Sequence, residues 1–268
     1  MQPAPPSSRP PPSELSLTAV PGFPLVSAGD DLAELLASCL DAAGMPLCDD
    51  DVLVFAQKIV SKAEGRRVRL ADVTVSARAQ ALAQQVGKDP RLVELILAQS
   101  RRVVRAARDV LIVEHHLGFV MANAGIDQSN VASAQDAESV LLLPLDPDAS
   151  AEGLRARIGA RSGCRVGVII SDSFGRPWRL GTVGVAIGVA GCAALMDLRG
   201  HADLFGRELR VTVVGHADEI AAAASLLMGQ AAEGQAVVRV RGLRSPQLPQ
   251  ASGGAQALLR PASQDLFR

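Results

Sequence analysis

Three short polar segments, each following an apolar run, carry residue types suited to handling phosphate. The first is QKIVSKAEG, residues 57–65, directly after VLVFA. The chain holds 27 Lys and Arg together and only three of them are lysines, yet Lys58 and Lys62 both fall in this segment. A compact ammonium serves a phosphate as a point charge, although a solvated helix start would use the same residues. The second is Asn123-Ala-Gly-Ile-Asp-Gln-Ser-Asn130, after GFVMA, and it contains both asparagines of the chain. Asp127 in such a loop can reach a hard cation or a bound ligand; a plain Asx turn is the bland alternative. The third, Ser171-Asp-Ser-Phe-Gly-Arg-Pro-Trp-Arg179, follows VGVII. There Asp172 and Ser173 offer oxygen ligands for Mg²⁺ or Mn²⁺, and Arg176 and Arg179 suit phosphate or carboxylate. The alternative is a turn with surface ion pairs. Two acids at separate strand ends, with cations nearby and no thiol or imidazole cluster, describe metal-assisted phosphate chemistry.

Common routes to such chemistry are missing from the sequence. It has no GxxxxGK[ST] phosphate loop, no GxGxxG after a strand, no GxSxG and no HExxH. The four cysteines, at 39, 48, 164 and 192, form no CxxC, so neither a zinc site nor a disulfide framework is expected. A net charge of −1 and an aromatic content of 3% argue against a surface built for nucleic acid. The uncharged stretch Leu180 to Met196 is interrupted by glycines and is short for a membrane span, so buried core or a close-packed loop is expected there. The Pro-rich start MQPAPPSSRPPPSE lacks the apolar run of a signal peptide. A cytoplasmic protein without membrane or nucleic-acid partners is expected.

The elements that must position these residues are readable in outline. Residues 1–14 read as a disordered tail, because proline blocks regular pairing, and one ordered domain is expected over 15–268. Asp30 is placed to cap a helix carrying Leu32, Leu35, Leu36, Cys39 and Leu40, stopped by Gly44. A buried strand is predicted at Val52 to Ala56, with helices near 75–87 and 90–99, the latter opened by Asp89-Pro90. Further apolar runs at 111–113, 119–121, 140–143, 166–170, 209–214 and 237–240 read as strands. Helices are expected at 150–160 and at 217–228, the second capped by Asp218. The stretch 171–208 shows no clear period. The fold class is mixed α/β (α+β), with a possible second lobe from about residue 160.

Taken in order, GFPLVSAGDDL, QKIVSKAEGR, GFVMANAGIDQSN, SDSFGRPWRLGTVGVAIGVAG, RGHADLFGREL and DEIAAAASLLMGQ closely resemble the coenzyme F420 gamma-glutamyl ligase family. The resemblance spans about residues 17–267. It implies a ligase fold unrelated to P-loop proteins, with two lobes, forming an intertwined homodimer. It also implies GTP-dependent addition of L-glutamate to the deazaflavin precursor F420-0 through an acyl phosphate, with onward gamma-linked glutamates. Two divalent cations per site, Mn²⁺ or Mg²⁺, are implied, with K⁺ possible. Carried over by position, Asp127 and Asp172 are catalytic metal ligands, and Ser173 and Gln230 belong to the second metal. The implied nucleotide contacts are Phe23, Pro24, Leu25 and Val26, then Gln57, Lys62 and Asn130. The remainder are Met228, Gly229, Gln230, Ala231, Ala232, Glu233, Gly234 and Gln235. Two other readings stand beside this one: a nucleotide- or deazaflavin-binding protein without turnover, and a metal-dependent ligase acting on a related acid.

Overall fold

A computed structural model describes residues 14–129, 131, 138–243 and 253–265. The expected tail (residues 1–14) therefore lies outside the described residues, apart from Glu14. The architecture is mixed α/β. Its centre is a five-stranded sheet of β1 (Ser16–Ala19), β2 (Val52–Ala56), β8 (Gly167–Arg176), β9 (Arg179–Ala190) and β12 (Val237–Arg241), ordered β1-β12-β2-β8-β9. The continuous apolar run of β2 predicts burial on both faces, and Val52 to Phe55 are all 0% exposed. Strands β2 and β8 are parallel, pairing Val52 with Gly167 through Ala56 with Ser171, while β12 runs antiparallel to both β1 and β2. This arrangement brings the end of β1, the end of β2 and the start of β12 to one edge. Past that edge, β8 and β9 continue as a hairpin beyond the other three strands.

Helices cover this sheet. Helix α1 (Leu32–Ala42) is capped by Asp31, whose carboxylate accepts from the N–H groups of Ala33 and Glu34; Asp30, the expected cap, instead accepts from Ser27. Helix α5 (Pro147–Ser162) and helix α6 (His216–Met228) both pack on β9. Two glycines permit that closeness. A side chain at Gly184 would meet the Ala221 carbonyl oxygen at 2.4 Å, and one at Gly188 the Pro147 carbonyl oxygen at 2.2 Å. Ile170 pairs with Gly188 but Ser171 pairs with Ala186, a bulge that reverses the alternation of β9. Gly184 and Gly188 thereby face opposite sides, with α6 on one and α5 on the other.

The glycine-punctuated stretch 180–196 is thus mostly a strand, neither a loop nor wholly buried: Leu180 is 99% exposed. Asp218 does not cap α6. Gly215 holds the cap position, and the Asp218 carboxylate accepts from the backbone of Ala186 on β9. The run 209–214 supplies only the two-residue strand β11 (Val213–Val214), paired with β10 (Met196–Asp197).

A second apolar cluster forms around helices α3 (Ala77–Val86) and α4 (Pro90–Ala98). They pack with the meander β4 (Ser100–Ala107), β5 (Val110–His115) and β6 (Val120–Ala122) and with the pair β3 (Arg67–Arg69) and β7 (Ser139–Leu141). This cluster is built from residues 68–142. The main sheet takes strands from both sides of residue 160. Among the described residues, no helix is long and apolar enough to cross a membrane.

Candidate active site

The residues singled out by their chemistry gather where β2 ends beside β8, which continues past it into the hairpin with β9. Helix α2 (Gln57–Ala63) starts on the residue after β2, so Gln57 and Lys58 emerge beside Asp172, the first residue of β8 beyond the Ala56–Ser171 pair. The ends of adjacent parallel strands are where α/β folds place ligands. The third contributor arrives from the second cluster. Asn123, Ala124 and Gly125 all have positive φ, at 52°, 53° and 66°. Such strained backbone persists where the surroundings over-determine it, and it turns the chain sharply before Asp127. Backbone bonds to Leu141, 2.9 and 2.8 Å, then fix Asp127 in place.

Both carboxylate oxygens of Asp127 are engaged. The Gln57 amide donates to Oδ2 at 2.6 Å, and Lys58 Nζ lies 3.3 Å from Oδ1. Gln57 is itself oriented by Ser61, whose hydroxyl donates to its Oε1 at 2.9 Å; both residues are buried. Lys58 also donates to Ser129 Oγ at 3.0 Å. Asp172 Oδ1 accepts from the Ser173 N–H, and Ser173 Oγ donates to Gln230 Oε1, both at 2.8 Å.

Burial first, and the nearby Asp127 charge second, push the Asp172 carboxyl up to about 7, with the Ser173 N–H and Lys58 only partly offsetting them. Burial likewise raises Asp127, against Lys58 and Gln57. Two carboxylates forced close in poor solvent leave a deficit of positive charge, which Lys58 alone partly fills. For Asp172 the sign follows directly. The folded chain holds a proton that the unfolded chain has released, from the ordinary value of 3.8 up to about 7. The stability this confers is complete below 3.8 and lost as pH rises through about 7. In the presence of a chelator, melting is expected to fall by about 5 °C between pH 5 and pH 8 relative to Asp172→Asn. Parallel melting curves for the two proteins across that range would remove the effect.

The donor set fits hard divalent cations. Asp127, Asp172, Ser173 Oγ and Gln230 Oε1 are all oxygen ligands, the class preferred by Mg²⁺ and Mn²⁺. The described residues hold no cluster of three or more His, Cys, Asp or Glu. A cation here would therefore complete its coordination with water or phosphate oxygens.

The segments expected to touch a nucleotide open onto the same edge of the sheet. Phe23 to Val26 follow β1, with Leu25 exposed and Val26 buried, and their loop is tied to α2 by Gly29 N–H donating to the Ala63 carbonyl at 2.8 Å. Lys62 lies in the last turn of α2, its ammonium lowered by burial and by the charges of Arg67 and Lys58. Residues Met228 to Gln235 join α6 to β12. Gly229 has φ 70°, and a side chain there would strike Glu233 at 2.2 Å. The N–H groups of Ala231, Glu233 and Gln230 hold the Glu233 carboxylate below its usual range. Backbone donors converging on an anion are the arrangement that also suits phosphate. Asn130 lies outside the described residues. The structure adds two partners that single-segment reading did not assign: Ser61, which orients Gln57, and Ser129, which holds Lys58. Their signal was only a hydroxyl one turn from Gln57 and another in the Asp127 loop.

Residues 22–242 match the model of the family described as F420-0:Gamma-glutamyl ligase. The chain is 48% identical over 254 residues to the coenzyme F420:L-glutamate ligase of Methanothermobacter thermautotrophicus, covering 95% of this chain and 99% of that one. The proteins of the same name from Methanopyrus kandleri and Methanocaldococcus jannaschii are 46% and 42% identical, covering 95% and 92% of this chain and 98% and 94% of theirs.

Proposed function

The chain belongs to the F420-0:gamma-glutamyl ligase family, and from that premise we propose that it joins L-glutamate to coenzyme F420-0 at the expense of GTP. The observation that carries this reading is the meeting of Asp127 and Asp172 beside Lys58, at the edge onto which the expected nucleotide segments open. A carboxylate oxygen of the precursor attacks the γ-phosphorus of GTP, giving an acyl phosphate and GDP. The glutamate amine then attacks the acyl carbon, forming the amide as phosphate leaves. Further glutamates join through gamma-carboxylates in the same way.

The chain's own groups bind and orient in this scheme. Residues Phe23 to Val26 and Met228 to Gln235 enclose the nucleotide, Lys62 supplies a fixed positive charge and Asn130 adds a polar contact, while the buried Gln57 carboxamide, expected to touch the nucleotide, is taken up by Asp127 and Ser61. The Ser61-Gln57 pair holds the Asp127 carboxylate, and the Ser173 N–H holds that of Asp172. Two divalent cations, Mn²⁺ or Mg²⁺, with K⁺ assisting, would be held by Asp127, Asp172, Ser173 and Gln230. When bound, they neutralise the charge that develops on the phosphate oxygens. A homodimer in the cytoplasm completes the reading. Leu180, Leu204 and Phe205 are each at least 95% exposed, as expected of surface covered by a second copy.

Mass spectrometry of the protein with F420-0, L-glutamate, GTP and Mn²⁺ tests the proposal. Product shifted by whole glutamyl units, with matching GDP release, is the expected result. GTP hydrolysis without a mass shift would transfer the reading to another acid acceptor. Nucleotide binding with neither product nor hydrolysis would leave a binding protein.

A further inference from the structure

Resting on that ligase reading, we propose that Arg176 forms an anion subsite that holds a carboxylate or phosphodiester group of one of the two acid substrates. Strand alternation places Asp172, Phe174 and Arg176 on one half-buried face of β8, while Ser173 and Gly175 point the other way and are exposed. Four residues of strand separate Arg176 from Asp172 by about 13 Å of backbone, a gap shortened by the length of the arginine side chain. Between them Phe174 packs edge-to-face on Phe119, with centroids 5.9 Å apart and planes at 82°. The face thus runs from a carboxylate, past an aromatic wall, to a guanidinium.

The guanidinium has a donor to spare. Its Nη2 donates across the hairpin to the Leu180 carbonyl at 3.3 Å, which fixes the plane of the group. Its Nη1 is shut off from water and has no hydrogen-bond partner among the described residues. A buried charged donor left unpaired is costly, more so than a neutral one, and an anionic oxygen would remove that cost. At the other end of this face Lys58 is held by Asp127 and Ser129, while Arg179, which pairs with Arg176 across the turn, is exposed.

The hairpin turn is also built at a cost. Arg176 pairs with Arg179 across Pro177 and Trp178, and Trp178 has φ 64°, a conformation usually left to glycine. Backbone strain of this kind is characteristic of segments whose geometry is constrained by function. Here it closes the strand directly after Arg176, so the guanidinium is presented at a fixed position on the face shared with Asp172.

Both acid substrates of the proposed reaction carry matching anions: the carboxylates of glutamate, and the carboxylate and phosphodiester of F420-0. Steady-state kinetics of Arg176→Gln and Arg176→Lys, varying each substrate in turn, distinguish them. A rise of about tenfold or more in one KM is expected for Arg176→Gln, with the KM for GTP unchanged and most of the loss in KM rather than kcat. A raised KM for glutamate assigns the subsite to a glutamate carboxylate, and a raised KM for F420-0 assigns it to an anionic group of the precursor. Arg176→Lys should recover part of the loss, because it keeps the charge and loses the planar fork. Unchanged KM values for both acids would overturn the subsite. So would a change in oligomeric mass by light scattering with both KM values intact, which would give the guanidinium to the contact between copies. If wild-type protein makes no product, the ligase reading falls. Calorimetric titration of L-glutamate and of F420-0 into wild type and Arg176→Gln then decides the subsite separately, and binding that does not depend on Arg176 overturns it.

Discussion

Asp172→Asn is expected to lower ligation by about 10²–10³-fold at saturating Mn²⁺ while leaving the fold intact. The replacement keeps the shape of the side chain and its acceptor for the Ser173 N–H, but removes the charge that a cation requires. Burial and the Asp127 charge already hold the wild-type carboxyl at about 7, half protonated near neutrality, so the fold tolerates the uncharged form. The variant should therefore melt no lower than wild type at pH 8 in the presence of a chelator, and should fail to gain stability from Mn²⁺. Product quantified by mass spectrometry beside these melting curves separates the two properties. Turnover within a fewfold of wild type would remove Asp172 from the chemistry. A lowered melting temperature would make its charge structural, contrary to the direction of its shift.

Asp127→Asn should also lose activity, but through a different balance. Asp127 is the partner of Lys58 at 3.3 Å and of Gln57 at 2.6 Å, so its neutralisation releases the ammonium as well as the charge. Removing the Asp127 charge also takes away a repulsion that raises Asp172. The two acids interact, so the double variant should lose less than the product of the single losses.

Both acids were legible because each belongs to a short polar segment that follows an apolar run, although Asp172 proves to lie within β8, which continues to Arg176, and only Asp127 lies in a loop. Their proximity was not legible. It depends on β2 pairing with β8 in parallel across more than a hundred residues, and on a loop from the second cluster reaching Gln57. Neither depends on local periodicity. Strand β4 was hidden for another reason: its sequence SRRVVRAA carries three arginines and lies in a small, half-exposed meander with two register shifts. Asp218 misled because an acid in the first turn of a helix usually serves the helix, whereas this one reaches the backbone of β9. The glycines of β9 were visible as an oddity of composition. Their meaning required knowing that α5 and α6 pass within contact distance on opposite sides of that strand.

The far end of the same sheet gives the second large effect, on stability alone. Asp51, 0% exposed, sits just before β2, and both of its carboxylate oxygens accept from Arg241 at the end of β12, each at 2.6 Å. Arg241 also donates to the Pro46 carbonyl at 2.9 Å, and Asp51 accepts in addition from the Cys48 N–H at 2.9 Å. Arg241→Ala removes the paired cation and leaves a buried carboxylate with one backbone donor. Such a broken pair costs about 3–5 kcal/mol. The Arg241 side chain is 35% exposed, so water can reach the gap it leaves and the lower end of that range is expected. For a domain of this size the melting temperature should fall by about 6–10 °C. Arg241→Lys should recover only part of this, because one ammonium cannot match both oxygens. Replacing both partners by leucine should cost less than Arg241→Ala, since no stranded charge remains. Because the pair lies at the end of the sheet opposite Asp127 and Asp172, kcat per folded molecule at 25 °C should stay at the wild-type value. A variant that melts normally, or that loses turnover while still folded, would contradict this assignment of Arg241 to the scaffold.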